Sequence, residues 1–128
     1  EAKVMDADDL PLSLSYKNVL DQEISNRVAA YLTFDWEGQR QVIAAFENDD
    51  ETYHVMIYDQ TSGDSSYGGG RYLYPKLADS SGVVILDFNK LENPPCVFTP
   101  HATCPFPPDM NRLPFDIRAG EMTMHLYN

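Results

Sequence analysis

Three groups of side chains in this sequence are of kinds that do chemistry. The first is Cys96, His101 and Cys104, which share one segment. Two thiols and an imidazole so placed allow three states: a disulfide, two buried thiols packed as small apolar groups, or part of a metal site. A bridge would close nine residues counted inclusively and constrain the unfolded chain by about 2.5 kcal/mol. A metal would need a fourth ligand, for which Asp87 and His125 are the candidates, and the spacing is not that of a zinc finger or ribbon. CxxC and CxxCH are both absent, which disfavours thioredoxin-like redox work and c-type haem attachment.

The second group is Arg71, Asp87, Asn89 and Asn93. Asp87 ends the apolar run GVVILDF, so its carboxylate should be partly buried and in need of a partner. Arg71 is the expected partner, because a guanidinium fork accepts a carboxylate bidentately. Such a clamp either braces the loop that follows or, joined by Tyr67 and Glu121, lines a ligand pocket at the sheet edge. The third group is the loop from Asp59 to Gly70, DQTSGDSSYGGG. Its glycines lead into Arg71 and a strand rather than into Lys-Ser/Thr and a helix, so it is not a P-loop. It lacks the closing Glu of a calcium loop. Two readings remain: a turn in which Asp59 bonds nearby backbone and glycines take positive φ, or a small-anion site of glycine N–H groups and Arg71. His54 reads as a surface residue. Tyr67, Tyr72 and Tyr74 read as cross-strand packing or a binding face. No GxSxG marks a nucleophile elbow.

The elements that must position these groups are mostly strands. Residues 1–12 are acidic and aperiodic, and 13–26 weakly support a short helix or turn-rich linker, so 1–26 is expected to be an arm and linker. From Arg27 the period becomes two, with Val28, Ala30, Leu32, Phe34 and Trp36 alternating against their neighbours. Glu37-Gly38 makes a turn into a second strand, Gln39 to Glu47, with Val42, Ala44 and Phe46 on one face. An acidic tip at 47–51 leads to a third strand, Thr52 to Tyr58. The links are too short for parallel crossovers, so the three form an antiparallel meander. Arg71 to Tyr74 is a short strand ended by Pro75. Gly82 to Phe88 reads as a central strand, and Leu113–Ile117 with Met122–Tyr127 as a last pair. Between them, 89–111 holds six prolines and can be neither helix nor central strand. Residues 27–128 are therefore expected to be one all-β domain, an antiparallel sandwich or small barrel of about seven short strands with a long Pro-rich loop.

The chain has 128 residues, a one-domain length. Twenty acids face nine bases, four of them lysine, for a net charge of −11. That excludes sequence-independent nucleic-acid binding and disfavours anionic lipid. It suits a salt-rich or extracellular setting. No apolar run approaches the roughly 20 residues of a membrane-crossing helix.

Together YGGGRYLY, LDFNK with NPPC, FTPHATCPFPP, NRLP and AGE resemble the signature of an uncharacterised prokaryotic family, domain of unknown function 1684. The resemblance spans roughly Tyr31 to Glu121 and looks like the C-terminal part of longer members. It departs from the pattern at His101 and Met122, where an aromatic and a lysine are more usual. The family implies no activity, so no catalytic role is carried over.

The sequence thus favours a non-enzymatic, extracytoplasmic binding or assembly module, with no cofactor and no resident metal. Its candidate ligand-binding residues are Arg71, Asp87, Asn89, Asn93, Tyr67 and Glu121. A small ligand, a protein partner or self-association is expected, without nucleic acid or membrane insertion. The competing reading is a small hydrolytic or metal-assisted enzyme, its pocket near Arg71, Asp87, Asn89 and His101.

Overall fold

A computed structural model describes residues 1–5, 10–97 and 103–122. Among the described residues, seven strands form one antiparallel sheet: β1 (Ala2–Val4), β2 (Ser13–Lys17), β3 (Glu23–Trp36), β4 (Gln39–Glu47), β5 (Tyr53–Ile57), β6 (Arg71–Leu73) and β7 (Val83–Val84). The order is β6-β5-β4-β3-β1-β7, with β2 also paired to β3. The sheet curls into a half-barrel, and its two terminal strands are β6 and β7.

The β3–β4 hairpin follows the alternation. Trp36 pairs with Gln39, and the turn residues Glu37 and Gly38 both take positive φ, 49° and 82°, as a tight turn matched to strand twist requires. One detail differs from strict alternation. A bulge between Val28 and Ala30 shifts the register. It moves Val28 and Ile24 to the Tyr31 side of the sheet, while Ala30 stays with Leu32, Phe34 and Trp36.

Each face of the sheet carries a core. On one, Leu32, Ile43, Val55, Ile57 and Leu73 pack with Leu91, Leu113 and Ile117. On the other, Tyr16, Tyr31, Ala44, Phe46, Met56 and Tyr72 pack with Cys104. Leu32, Ile43, Met56 and Ile57 are fully buried, worth about 1.5–3 kcal/mol each. The coverings are loops. Among the described residues from Phe88 to Asn111 there are three short 3-10 turns, Phe88–Lys90, Pro95–Val97 and Asp109–Asn111, and no helix longer than these, in keeping with the prolines.

Three expectations are corrected. The described part of residues 1–26 is not an arm and linker: β1 lies between β3 and β7 with Ala2 fully buried, and β2 pairs with Glu23–Arg27 at the start of β3. β1 is held by pairing on both sides, to β3 and β7, and β2 by pairing to β3 with Leu14 and Tyr16 packed on the Tyr31 face. The run Gly82–Phe88 is not central: only Val83–Val84 is strand, at the sheet's end, and Ile85 is exposed. The segment Leu113–Ile117 is not a strand of the sheet. It runs beside the extension of β5, where the Leu113 N–H donates to Tyr58 O and the Gln60 N–H to Phe115 O. Its expected partner, Met122–Tyr127, falls outside the described residues after Met122.

Candidate functional site

The loop between β5 and β6 is a buried polar knot. Asp59 is fully buried and Thr61 and Ser66 nearly so. Asp59 Oδ2 accepts from the Thr61 N–H at 3.2 Å, the Thr61 hydroxyl at 2.8 Å and the Ile117 N–H at 2.7 Å. Arg71, also fully buried, brings Nη2 to 3.4 Å from Asp59 Oδ1. The β5–β6 hairpin explains the meeting: Ile57 pairs with Arg71, so Asp59 lies just past its end. Burial lowers the Arg71 pKa and the Asp59 charge works against that loss.

Arg71 does more than pair with Asp59. Nη1 donates to Ala119 O at 2.6 Å and Glu121 O at 3.0 Å, and Nη2 to Ile117 O at 2.8 Å. One guanidinium therefore holds three carbonyls of the segment leading to AGE. Glu121 is tied from the other side: its Oε1 accepts from the Asn93 N–H at 2.9 Å, and its own N–H donates to Leu91 O at 2.9 Å. Between these, Gly120 sits at φ 82° where a Cβ would come within 2.7 Å of Leu91 Cβ. Only glycine meets both demands.

Asn111, in NRLP, serves the sheet. It is fully buried. Its Oδ1 accepts from the Ala44 N–H at 2.8 Å, and its Nδ2 donates to Ala44 O at 2.9 Å and Met56 O at 2.8 Å. The β4–β5 ladder covers only Phe46–His54 and Glu47–Tyr53. Past it, the strands part and the carboxamide supplies the pairing that β5 no longer gives. Sequence reasoning passed over Asn111 because an asparagine among prolines looks like a turn residue.

The expected Arg71–Asp87 clamp is corrected: Asp59 takes Arg71. Asp87 instead accepts the Asn89 N–H at 3.1 Å, capping a 3-10 turn, and Asn89 is exposed. The small-anion reading of the glycine loop loses its cation, since Arg71 is fully buried and both its terminal nitrogens are bonded to Asp59 and backbone carbonyls. Gly63 and Gly70 do take positive φ, as the turn reading requires. Asn93 is buried beside Glu121, and the half-buried Tyr67 covers Gly69, whose added Cβ would come within 2.5 Å of its ring. So Arg71, Asn93 and Glu121 meet at one brace, while Asp87 and Asn89 lie at another turn. Cys96 and Cys104 are joined as a disulfide with Cα atoms 6.1 Å apart. That takes up the sulfurs a Cys–His–Cys metal site needs. His101 and His125 lie outside the described residues. Among the described residues, no three His, Cys, Asp or Glu side chains group to hold a metal, and no helix is long and apolar enough to cross a membrane.

His54 is not a surface residue. It is half-buried, edge-on to Tyr72 at 4.6 Å and stacked on Tyr74 at 5.3 Å. Burial lowers its pKa and raises those of Tyr72 and Tyr74, the latter helped by Glu92. Both phenols therefore stay protonated at neutral pH.

Beside Tyr74 opens a cleft of about 480 Å³, lined by Leu73, Tyr74, Pro75 and Leu77 on one wall and Val83 and Ile85 on the other, with Lys76, Asp87, Lys90 and Glu92 among its polar groups. It lies between the two terminal strands of the curled sheet. Six large apolar side chains are exposed among the described residues, and Tyr74, Leu77 and Ile85 are three of them; their convergence on one concavity separates it from scattered surface apolar residues. Of the sequence-based candidates only Asp87 and Tyr74 line it. Lys76, Leu77, Ile85 and Lys90 were missed, since only the sheet order brings 73–77 to face 83–90. A second cleft, of about 410 Å³, runs between β2 and Phe106–Asp109.

A half-barrel braced by buried Asp, Arg and Asn side chains, with an open seam between its terminal strands, defines the class. The chain belongs to the family described as "Protein of unknown function (DUF1684)", whose model matches residues 1–122. The match therefore takes in β1 and β2 as well as the signature region. The structure is similar to the solution NMR structure of an uncharacterized protein from gene locus rrnAC0354 of Haloarcula marismortui, at 32% identity and a TM-score of 0.68, over 95% of this chain and 68% of that one. Among curated proteins, none matches.

Proposed function

We propose that this domain is a non-catalytic binding module acting outside the cytoplasm, and that its site is the cleft between β6 and β7. The observation carrying this reading is the gathering of exposed Tyr74, Leu77 and Ile85 in one concavity. Its volume of about 480 Å³ falls in the range of small-ligand pockets. The signature's polar side chains support the non-catalytic part: Asp59, Arg71, Asn93, Asn111 and Glu121 each bond backbone groups rather than converging on a shared opening. The disulfide supports an oxidising compartment, and the charge of −11 speaks against a nucleic-acid partner. A neutral solvatochromic dye tests the site. Its emission should rise on the native protein and lose most of that rise in Leu77→Asp and Ile85→Asp, both folded by circular dichroism. An unchanged rise in both variants would refute the assignment.

A further inference from the structure

The cations of this acid-rich chain are unevenly engaged. Five of its nine Lys and Arg residues are in ion pairs: Lys17, Arg40, Arg71, Arg112 and Arg118. Among the described residues, Lys3, Arg27, Lys76 and Lys90 are not, and Lys76 and Lys90 both line the seam cleft. Both are exposed. The carboxylates of the same cleft are partly occupied: Asp87 caps the Asn89 N–H, and Glu92 is exposed at the rim. The protonated Tyr74 hydroxyl adds a donor. Against a net charge of −11, this is a place where apolar floor and unpaired ammonium groups coincide.

From this juxtaposition, and resting on the binding reading above, we infer that the cleft takes a small anionic amphiphile: a carboxylate held by Lys76 and Lys90, its apolar body lying on Tyr74, Leu77 and Ile85. The arrangement is the complement of such a molecule. Apolar burial supplies most of the affinity and the two exposed lysines set the sign of charge accepted. Two exposed ion pairs together are worth up to about thirtyfold in affinity, and about tenfold at middling strength. Asp87 and Glu92 balance the two lysines in the lining, and repulsion from the rest of the protein is largely screened beyond about 8 Å at physiological salt, so a head group seated on Lys76 and Lys90 meets surroundings of no net local charge.

Calorimetric titration of the full chain with sodium decanoate and with decyltrimethylammonium, each below its micellar concentration, tests the inference. Decanoate should bind about tenfold more tightly. The double variant Lys76→Gln/Lys90→Gln should erase that preference while keeping dye binding, and Leu77→Asp should abolish decanoate binding. Equal affinity for both head groups, or preference for the ammonium, overturns the inference and leaves the binding cleft standing. Decanoate binding that survives Leu77→Asp places the anion elsewhere and also overturns it. If no amphiphile binds and Leu77→Asp dissociates a dimer, a second copy fills the cleft and the inference is wrong. Failure of the dye test as well removes the binding reading itself.

Discussion

Arg71 Nη2 stands 3.4 Å from Asp59 Oδ1, with both side chains sealed from solvent. A buried pair of this kind adds little net stability over an apolar pair, yet loss of one member leaves an uncompensated charge. Asp59→Asn is therefore expected to cost about 3–5 kcal/mol. Arg71→Lys keeps the charge but cannot reach three carbonyls and a carboxylate together, and should cost about 2–4 kcal/mol. Urea unfolding of both variants checks this. Losses below 1 kcal/mol in both would remove the brace from the account.

Asn111 makes a second, independent forecast. Asn111→Leu leaves the Ala44 N–H and the Ala44 and Met56 carbonyls without their partner. Each buried orphan costs about 1–3 kcal/mol, so a loss of at least 3 kcal/mol is expected. Hydrogen exchange at Ala44 should accelerate along with the drop in the denaturant midpoint. Asn111→Asp removes the two donated bonds and adds charge, and should be no better.

The cysteines are checked by counting. Thiol titration of the denatured, unreduced protein should find no reactive group, and Cys96→Ala/Cys104→Ala should lower stability by about 2–3 kcal/mol. Two reactive thiols would contradict the bridge.

His54 sets a pH dependence. Burial holds its folded pKa below the ordinary 6.5, so the unfolded chain binds the proton first as pH falls. Its contribution is full above about pH 6.5 and is lost as pH drops from there through the lower folded value. His54→Phe should flatten the thermal-melting profile in that window. An identical slope in the variant would show that His54 does not titrate as its setting requires.

How far the sequence reveals this arrangement depends on the range of the contacts. The β3–β4 hairpin is legible because alternation and the Glu37-Gly38 turn are local signals that agree. The all-β class, expected as a sandwich or small barrel, follows from counting strands; that one sheet curls into a half-barrel does not. Arg71's partner is not legible, because Asp59 and Asp87 each end an apolar run and look alike in sequence; the β5–β6 register alone distinguishes them. β1 escapes notice because three residues, one of them buried, carry no period. The seam cleft is the least legible feature. Leu77 and Ile85 show no relation in sequence until the sheet order places β6 and β7, which they follow, at its two ends.

Amide-resolved NMR during a decanoate titration tests the central claim most directly. The account expects chemical-shift changes concentrated at Leu73–Leu77, Val83–Asp87 and Lys90, with Asp59, Arg71 and Asn111 unmoved. Changes centred on Tyr16 and Phe106–Asp109 instead, or none anywhere, would contradict it.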